Sequence, residues 1–187
     1  MIEVRIFTVV VAQPEAPSVV VLVEKGSAAD TAIPPNQPLS NQIGIASPQL
    51  LPIWIGRSEA EAIMFLLENQ EHARPLTHDL LANVIGSLGS KVKHVVIDKV
   101  VGTTFFANVC LDRDGRLINI DARPSDSIAL ALRTGASIFV DEDVANAAAR
   151  QFSLKVSDGG ELLNGSEDEV ERFHSFIESI SPEDFSL

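Results

Sequence analysis

The sequence predicts an α+β fold: one compact domain whose mixed, largely antiparallel sheet of hairpins packs with several short helices. Three observations carry this. Short apolar runs with two-residue alternation recur along the chain and read as strands. Helical stripes interrupt them without the regular strand–helix alternation of a doubly wound parallel sheet. Three strands also follow one another between residues 92 and 121 with only turn residues between them. A chain of 187 residues, 45% of them apolar, suits one core-forming domain over 1–150 and an acidic extension over 151–187.

The elements follow in order. Residues 2–11 alternate through Ile2, Val4 and Ile6 and then turn apolar on both faces, which predicts a strand. Residues 13–18 hold two prolines and make a turn, and the β-branched run 19–23 pairs back as a hairpin. Residues 26–49 carry Pro34, Pro35, Pro38 and Pro48 and read as a loop, long for a compact domain unless it is functional. Residues 51–55 resume as a strand. Ser58 and Glu61 have capping-box spacing at the start of a helix that runs to about Asn69. Thr77 is expected to cap a second helix, with Leu80, Leu81, Val84, Ile85 and Leu88 as its core face and Gly89 as its terminator. Strands are predicted over 92–98, 103–111 and 116–121, with Asp112-Arg113-Asp114-Gly115 as a hairpin turn. A helix rich in Ala and Leu then stops at Gly135, a short strand covers 137–140, and a short helix with an acidic first turn covers 141–150. Residues 151–164, with Gly159-Gly160, read as a linker or small hairpin. A last amphipathic helix over 166–180 has an apolar stripe of Val170, Phe173, Ile177 and Ile180 and an acidic opposite face, so it packs on its own domain or meets a protein partner.

Charge restricts the function. The net charge is -12; residues 1–135 hold 11 Lys/Arg against 14 Asp/Glu, and residues 136–187 hold 3 against 12. Such a chain does not bind nucleic acid through its bulk field; it needs a local Arg/Lys cluster or a divalent cation. No apolar run reaches the length of a membrane span, and the N-terminus lacks signal-peptide features, so no membrane partner is expected. The single Cys110 leaves no internal disulfide and argues against a cysteine-based zinc site. The expected location is the cytoplasm.

Two polar stretches carry the candidate chemistry. One is Asp121-Ala-Arg123-Pro-Ser125-Asp126, where a strand hands over to a helix. The other is Arg74-Pro-Leu-Thr77-His78-Asp79, where an Arg-Pro pair, a hydroxyl and an acid again open a helix. Glu59 stands at a third helix start. All of them read equally as caps and ion pairs that hold the fold. If the three starts converge, His78, Asp79, Asp121 and Asp126 are the catalytic candidates. Arg74, Arg123, Thr77 and Ser125 would hold phosphate, and Glu59, Asp79, Asp121 and Asp126 would hold Mg²⁺ or Mn²⁺ through oxygen ligands. His78 would move a proton. That set serves metal-assisted phosphodiester hydrolysis. The remaining histidines, His72, His94 and His174, have no partner at metal-ligand spacing, and no Walker loop, Rossmann glycine pattern or nucleophile elbow occurs. Of Phe105 and Phe106, alternation turns one into the core, which leaves no aromatic platform for bases.

The motifs Leu-Pro-Ile-Trp-Ile-Gly at 51–56, Arg-Pro-Leu-Thr-His-Asp-Leu at 74–80, Thr-Phe-Phe-Ala at 104–107 and Ile-Asp-Ala-Arg-Pro-Ser-Asp-Ser-Ile-Ala-Leu-Ala at 120–131 resemble the bifunctional nuclease family over roughly residues 1–150. The resemblance implies a compact α+β domain that self-associates and a nuclease active on DNA and RNA. It implies no catalytic residue assignment. Against this stands a non-enzymatic oligomeric or regulatory module, whose Arg and Asp residues are spent on caps and ion pairs. The loop 26–49 looks longer than is usual for that family, and the region after about Arg150 falls outside the motifs.

Overall fold

The computed structural model describes residues 1–11, 18–27, 50–70 and 72–147. Most of the loop expected over 26–49, the linker over 151–164 and the helix over 166–180 lie outside them.

Two three-stranded antiparallel meanders form the sheet. The first is β1 (Ile2–Val10), β2 (Ser18–Glu24) and β3 (Leu50–Ile55); the second is β4 (Lys91–Val101), β5 (Thr104–Arg113) and β6 (Arg116–Ala122). A four-residue strand, β7 (Ser137–Val140), lies between them, antiparallel to β1 and parallel to β4. The order is therefore β3-β2-β1-β7-β4-β5-β6. The expected mixed, largely antiparallel α+β architecture is the one found. Ser-Val-Val-Val-Leu-Val of β2 is buried on both faces, which its β-branched run permits. The β5–β6 hairpin turns on Asp114 and Gly115, both at positive φ (53° and 80°), with Arg113 paired to Arg116. This two-residue turn matches the strand twist. The second meander is longer than its apolar pattern predicts, because β4 continues to Val101 before Gly102 reverses the chain at φ 58°.

Three helices of 11 residues each attach to this sheet, α1 (Arg57–Leu67), α2 (Thr77–Ser87) and α3 (Pro124–Thr134), and the expected short helix after β7 is described over 142–147. All three stop in the same way. A left-handed residue (Asn69, Gly89 or Gly135) follows, and the next N–H reaches the carbonyl five residues back: Gln70 to Phe65 at 2.8 Å, Ser90 to Ile85 at 3.1 Å, Ala136 to Ala131 at 3.0 Å. Their starts differ from expectation. The residues before them are Gly56, Leu76 and Arg123, and none supplies a side-chain cap. Ser58 sits inside α1 and hydrogen-bonds Glu59, while Glu61 pairs with Arg57 at 2.8 Å, so the expected capping box does not form. Thr77 is likewise the first helical residue of α2 and not its cap.

Helix α3 is the centre of the fold. Seven of its residues are buried: Pro124, Ser125 and Ser127–Ala131. Ile128 and Leu130 fill the main core with Val95, Ile97, Ile63, Leu22 and Val140. Each such side chain contributes about 1.5–3 kcal/mol by leaving water. Ala129 and Ala131 leave room for its neighbours to approach closely. The face of α2 expected to be core is different: none of its residues is buried, Leu80, Leu81, Val84 and Leu88 are exposed, and only Ala82 and Ile85 pack on the core.

One buried polar atom in α3 is unpartnered among the described residues, the Ser127 hydroxyl. Leaving a buried hydroxyl unbonded costs about 1–3 kcal/mol. Ser127→Ala should therefore raise stability by about 1 kcal/mol, read as a higher denaturant midpoint with unchanged m-value. A loss of similar size would show that the hydroxyl is bonded.

Candidate functional site

The three helix starts converge. Each carries an acid at its third position: Glu59 in α1, Asp79 in α2 and Asp126 in α3. An acid there ordinarily folds back to cap the free backbone N–H groups and faces the positive end of the helix dipole. Asp79 does so, accepting from the Leu76 N–H at 2.8 Å. Asp126 does not. Its two oxygens face the Arg123 guanidinium, which donates through Nε at 2.8 Å and Nη2 at 3.3 Å, and Oδ1 also meets Nε2 of His78 at 3.0 Å. Arg123 reaches on through Nη1 to Glu59 Oε1 at 2.8 Å. Glu59, Arg123, Asp126 and His78 are thus one chain of contacts across all three helix starts.

Local structure aims each group. Arg123 is the single residue between the end of β6 and Pro124 of α3, so strand and helix fix its Cα. With no Cβ at Gly56, the Glu59 carboxylate can lie against the start of α1. His78 is mostly enclosed, with 12% of its side chain exposed, whereas Arg123 is 65% exposed. The guanidinium has five N–H donors and spends three, so two remain for a ligand.

Electrostatics follow the contacts. Burial pushes the Asp126 carboxyl up, but hydrogen bonds and charge from Arg123 and His78 outweigh it and hold it below its ordinary value. Glu59 is pushed up by burial and drawn further down by its own backbone N–H, the Ser58 hydroxyl and Arg123. Asp79, also raised by burial, is lowered overall by the Leu76 N–H, by Arg133 and by the charge of His72. Arg123 is raised, chiefly by its bond to Asp126. The charged groups of the cluster, Glu59, Arg123 and Asp126, sum to about -1.

The other candidates stand apart. Asp79 turns away from His78 and pairs with Arg133, whose side chain is 5% exposed. Asp121 is exposed on β6, in register with Asn108 of β5. Arg74 and Thr77 are exposed and Ser125 is buried in the first turn of α3. Among the described residues no three Asp, Glu, His or Cys side chains form a group that could hold a metal ion. Glu59 and Asp126 share Arg123, while Asp79 and Asp121 lie elsewhere, so the acids as placed do not fit a resident metal. Arg133 went unread in the sequence. An Arg in a last helical turn is ordinarily a partner for the helix dipole, and nothing in the pattern links it to an acid 54 positions away.

A sequence profile described as the bifunctional nuclease domain matches residues 44–153. The chain belongs to this family. Two uncharacterised proteins from strains of Mycobacterium tuberculosis are each 43% identical over 152 residues, which is 81% of this chain and 90% of theirs. Bifunctional nuclease 1 of Arabidopsis thaliana is 29% identical over 99 residues, 51% of this chain and 30% of the plant protein. Bifunctional nuclease 2 of Oryza sativa subsp. japonica is 31% identical over 102 residues, 53% of this chain and 31% of its own. The profile match takes in all three helix starts, while β1 and β2 precede it. No helix among the described residues is long and apolar enough to cross a membrane.

The depressed carboxyls make stability depend on pH. Their ordinary values are 3.8 for Asp and 4.5 for Glu, and all three fold to lower ones. Their contribution is fully present above those ordinary values and disappears as pH falls through the folded ones. The melting temperature should hold on lowering the pH to about 5 and then fall, and Asp126→Asn should shrink that fall. An unchanged acid limb in the variant would place the titrating groups elsewhere.

Proposed function

We propose that this chain is a nuclease that hydrolyses phosphodiester bonds in DNA and RNA, with His78, Asp126, Arg123 and Glu59 as its site. Family membership supports the reaction class. One geometric observation supports the place: Asp126 leaves the capping role open to an acid at its position and instead joins an exposed guanidinium to an enclosed imidazole. In this reading the two spare N–H donors of Arg123 take the non-bridging oxygens of the phosphate. His78, oriented by Asp126 through Nε2, accepts the proton of an attacking water at Nδ1. A P–O bond forms to that water, the bond to the leaving oxygen breaks, and the leaving oxygen is protonated from solvent. Asp126 stabilises the imidazolium, and Glu59 keeps Arg123 in place. A phosphodiester adds a negative charge to a cluster already at about -1, so cleavage should rise with a divalent cation brought by the strand.

The assay is cleavage of single- and double-stranded DNA and RNA in Mg²⁺, Mn²⁺ or chelator. His78→Ala should lower the rate about 10²–10⁴-fold, the usual weight of a general base. Arg123→Ala should do the same, and Asp121→Ala should stay within about threefold of wild type. Equal activity in His78→Ala and Arg123→Ala, or activity that leaves the protein on further purification, would overturn this site.

A second reading has its own support. Glu59, Asp79 and Asp126 are each committed to an arginine. Meanwhile Leu80, Leu81, Val84 and Leu88 of α2 and Leu117, Ile118 and Ile120 of the edge strand β6 are exposed. Such apolar surface and an open strand edge suit a non-enzymatic module that self-associates. Light scattering should then show an oligomer that Leu80→Lys with Leu88→Lys dissociates. A monomeric wild type would remove this reading.

A further inference from the structure

A cleft of about 250 Å³ opens beside the cluster, lined by Phe65, Leu66, Gln70, His72, Arg74, Pro75, Asp79 and Arg133. Its walls are of two kinds. Phe65, Leu66 and Pro75 are apolar, and the Phe65 and His72 rings meet edge to face at 5.0 Å between centroids. The other wall is cationic. Arg133 is nearly enclosed and is matched by Asp79, which leaves Arg74 in surplus: it is exposed and makes no ion pair or hydrogen bond among the described residues. His72 adds to the positive potential felt by Asp79. On a chain of net charge -12 this is a locally positive concavity with an apolar side. Its volume falls just below the usual range for ligand pockets, about 300–1,000 Å³, so it accepts one nucleotide unit and no duplex.

We infer that this cleft is a nucleotide subsite: its ligand is a single unstacked nucleotide, with the phosphate on the Arg74 fork and the base against the Phe65–His72 ring pair and Pro75. The choice of a nucleotide over other anions rests on the nuclease reading. Bidentate guanidinium contacts suit phosphate, and ring faces take any base. Its position relative to the His78 cluster is set by α3. Adjacent residues of α2, His78 and Asp79, reach Asp126 and Arg133, which stand seven residues apart on α3. Seven residues are two turns on one helix face and about 10 Å. The two sites therefore lie along one face of α3, close enough for a single strand to meet both.

The test is calorimetric titration of the full chain with a nucleoside 5′-monophosphate, with the nucleoside and inorganic phosphate as separate arms. Wild type should bind the monophosphate saturably and more tightly than either part. Arg74→Ala should weaken it about tenfold or more, and Arg74→Lys by less, because a point charge replaces a fork. His72→Ala should weaken it too, while Arg113→Ala on the remote β5–β6 turn should bind like wild type. No saturable binding, or equal binding by Arg74→Ala, overturns the subsite. Phosphate binding as tightly as the monophosphate overturns the nucleotide assignment. Arg74-dependent binding in a chain that cleaves no strand supports the cleft while the nuclease reading fails. Cleavage without monophosphate binding does the reverse.

Discussion

A strand of four residues in the middle of the sheet sets the rest of the structure. β7 is the only contact that unites the β1–β3 and β4–β6 meanders into one sheet among the described residues, through three register pairs to β1 and four to β4. It can sit there only because α3 delivers it. One residue separates β6 from α3, and two separate α3 from β7. The helix is thus clamped at both ends by the sheet it covers. Its buried alanines and small serines meet that demand, since longer side chains would hold it off. The same clamp fixes Arg123, which has no freedom to drift because a strand ends just before it and a proline begins a helix just after.

The polar cluster grows out of a generic feature of helices. An acid in the first turn is favourable anywhere, and all three helices have one. What separates them is the partner. Asp79 is used on its own backbone and on a nearly enclosed arginine, an arrangement that stiffens the α2–α3 contact. Asp126 turns outward to a guanidinium that is itself mostly open to solvent. Chemistry, if it occurs, needs groups that are held and yet reachable, and this pair meets both conditions. The apparent twin motifs, Arg74–Asp79 and Arg123–Asp126, are not two halves of a symmetric site. The first gives His78 to the cluster and sends Asp79 and Arg74 the other way.

Much of this was legible in the residues. Apolar runs, alternating in β1 and β6 and β-branched in β2, marked the strands of both meanders, and Gly89 and Gly135 marked helix ends because few residues tolerate the left-handed conformation. The convergence of Glu59, His78, Arg123 and Asp126 was readable only as a condition, since no local pattern says which helix starts meet. The helix starts themselves misled: Ser58 and Thr77 look like caps, but the helices begin one or two residues earlier, and in α2 the acid at the third position, Asp79, takes the free N–H of Leu76. Helix α2 misled most. Its Leu and Val stripe reads as a core face, yet periodicity reports only that a face is apolar and not whether anything lies against it.

That helix has a further consequence. With no residue fully buried, α2 is held by the half-buried Ala82 and Ile85 and by two contacts at its start, His78 to Asp126 and Asp79 to Arg133. Few buried apolar contacts put α2 at the low end of local stability in the domain, next to a helix, α3, that sits at the high end. The imidazole moves with α2. The assembled site and the docked helix are one state, and anything that lies on the outer face of α2 acts on both at once.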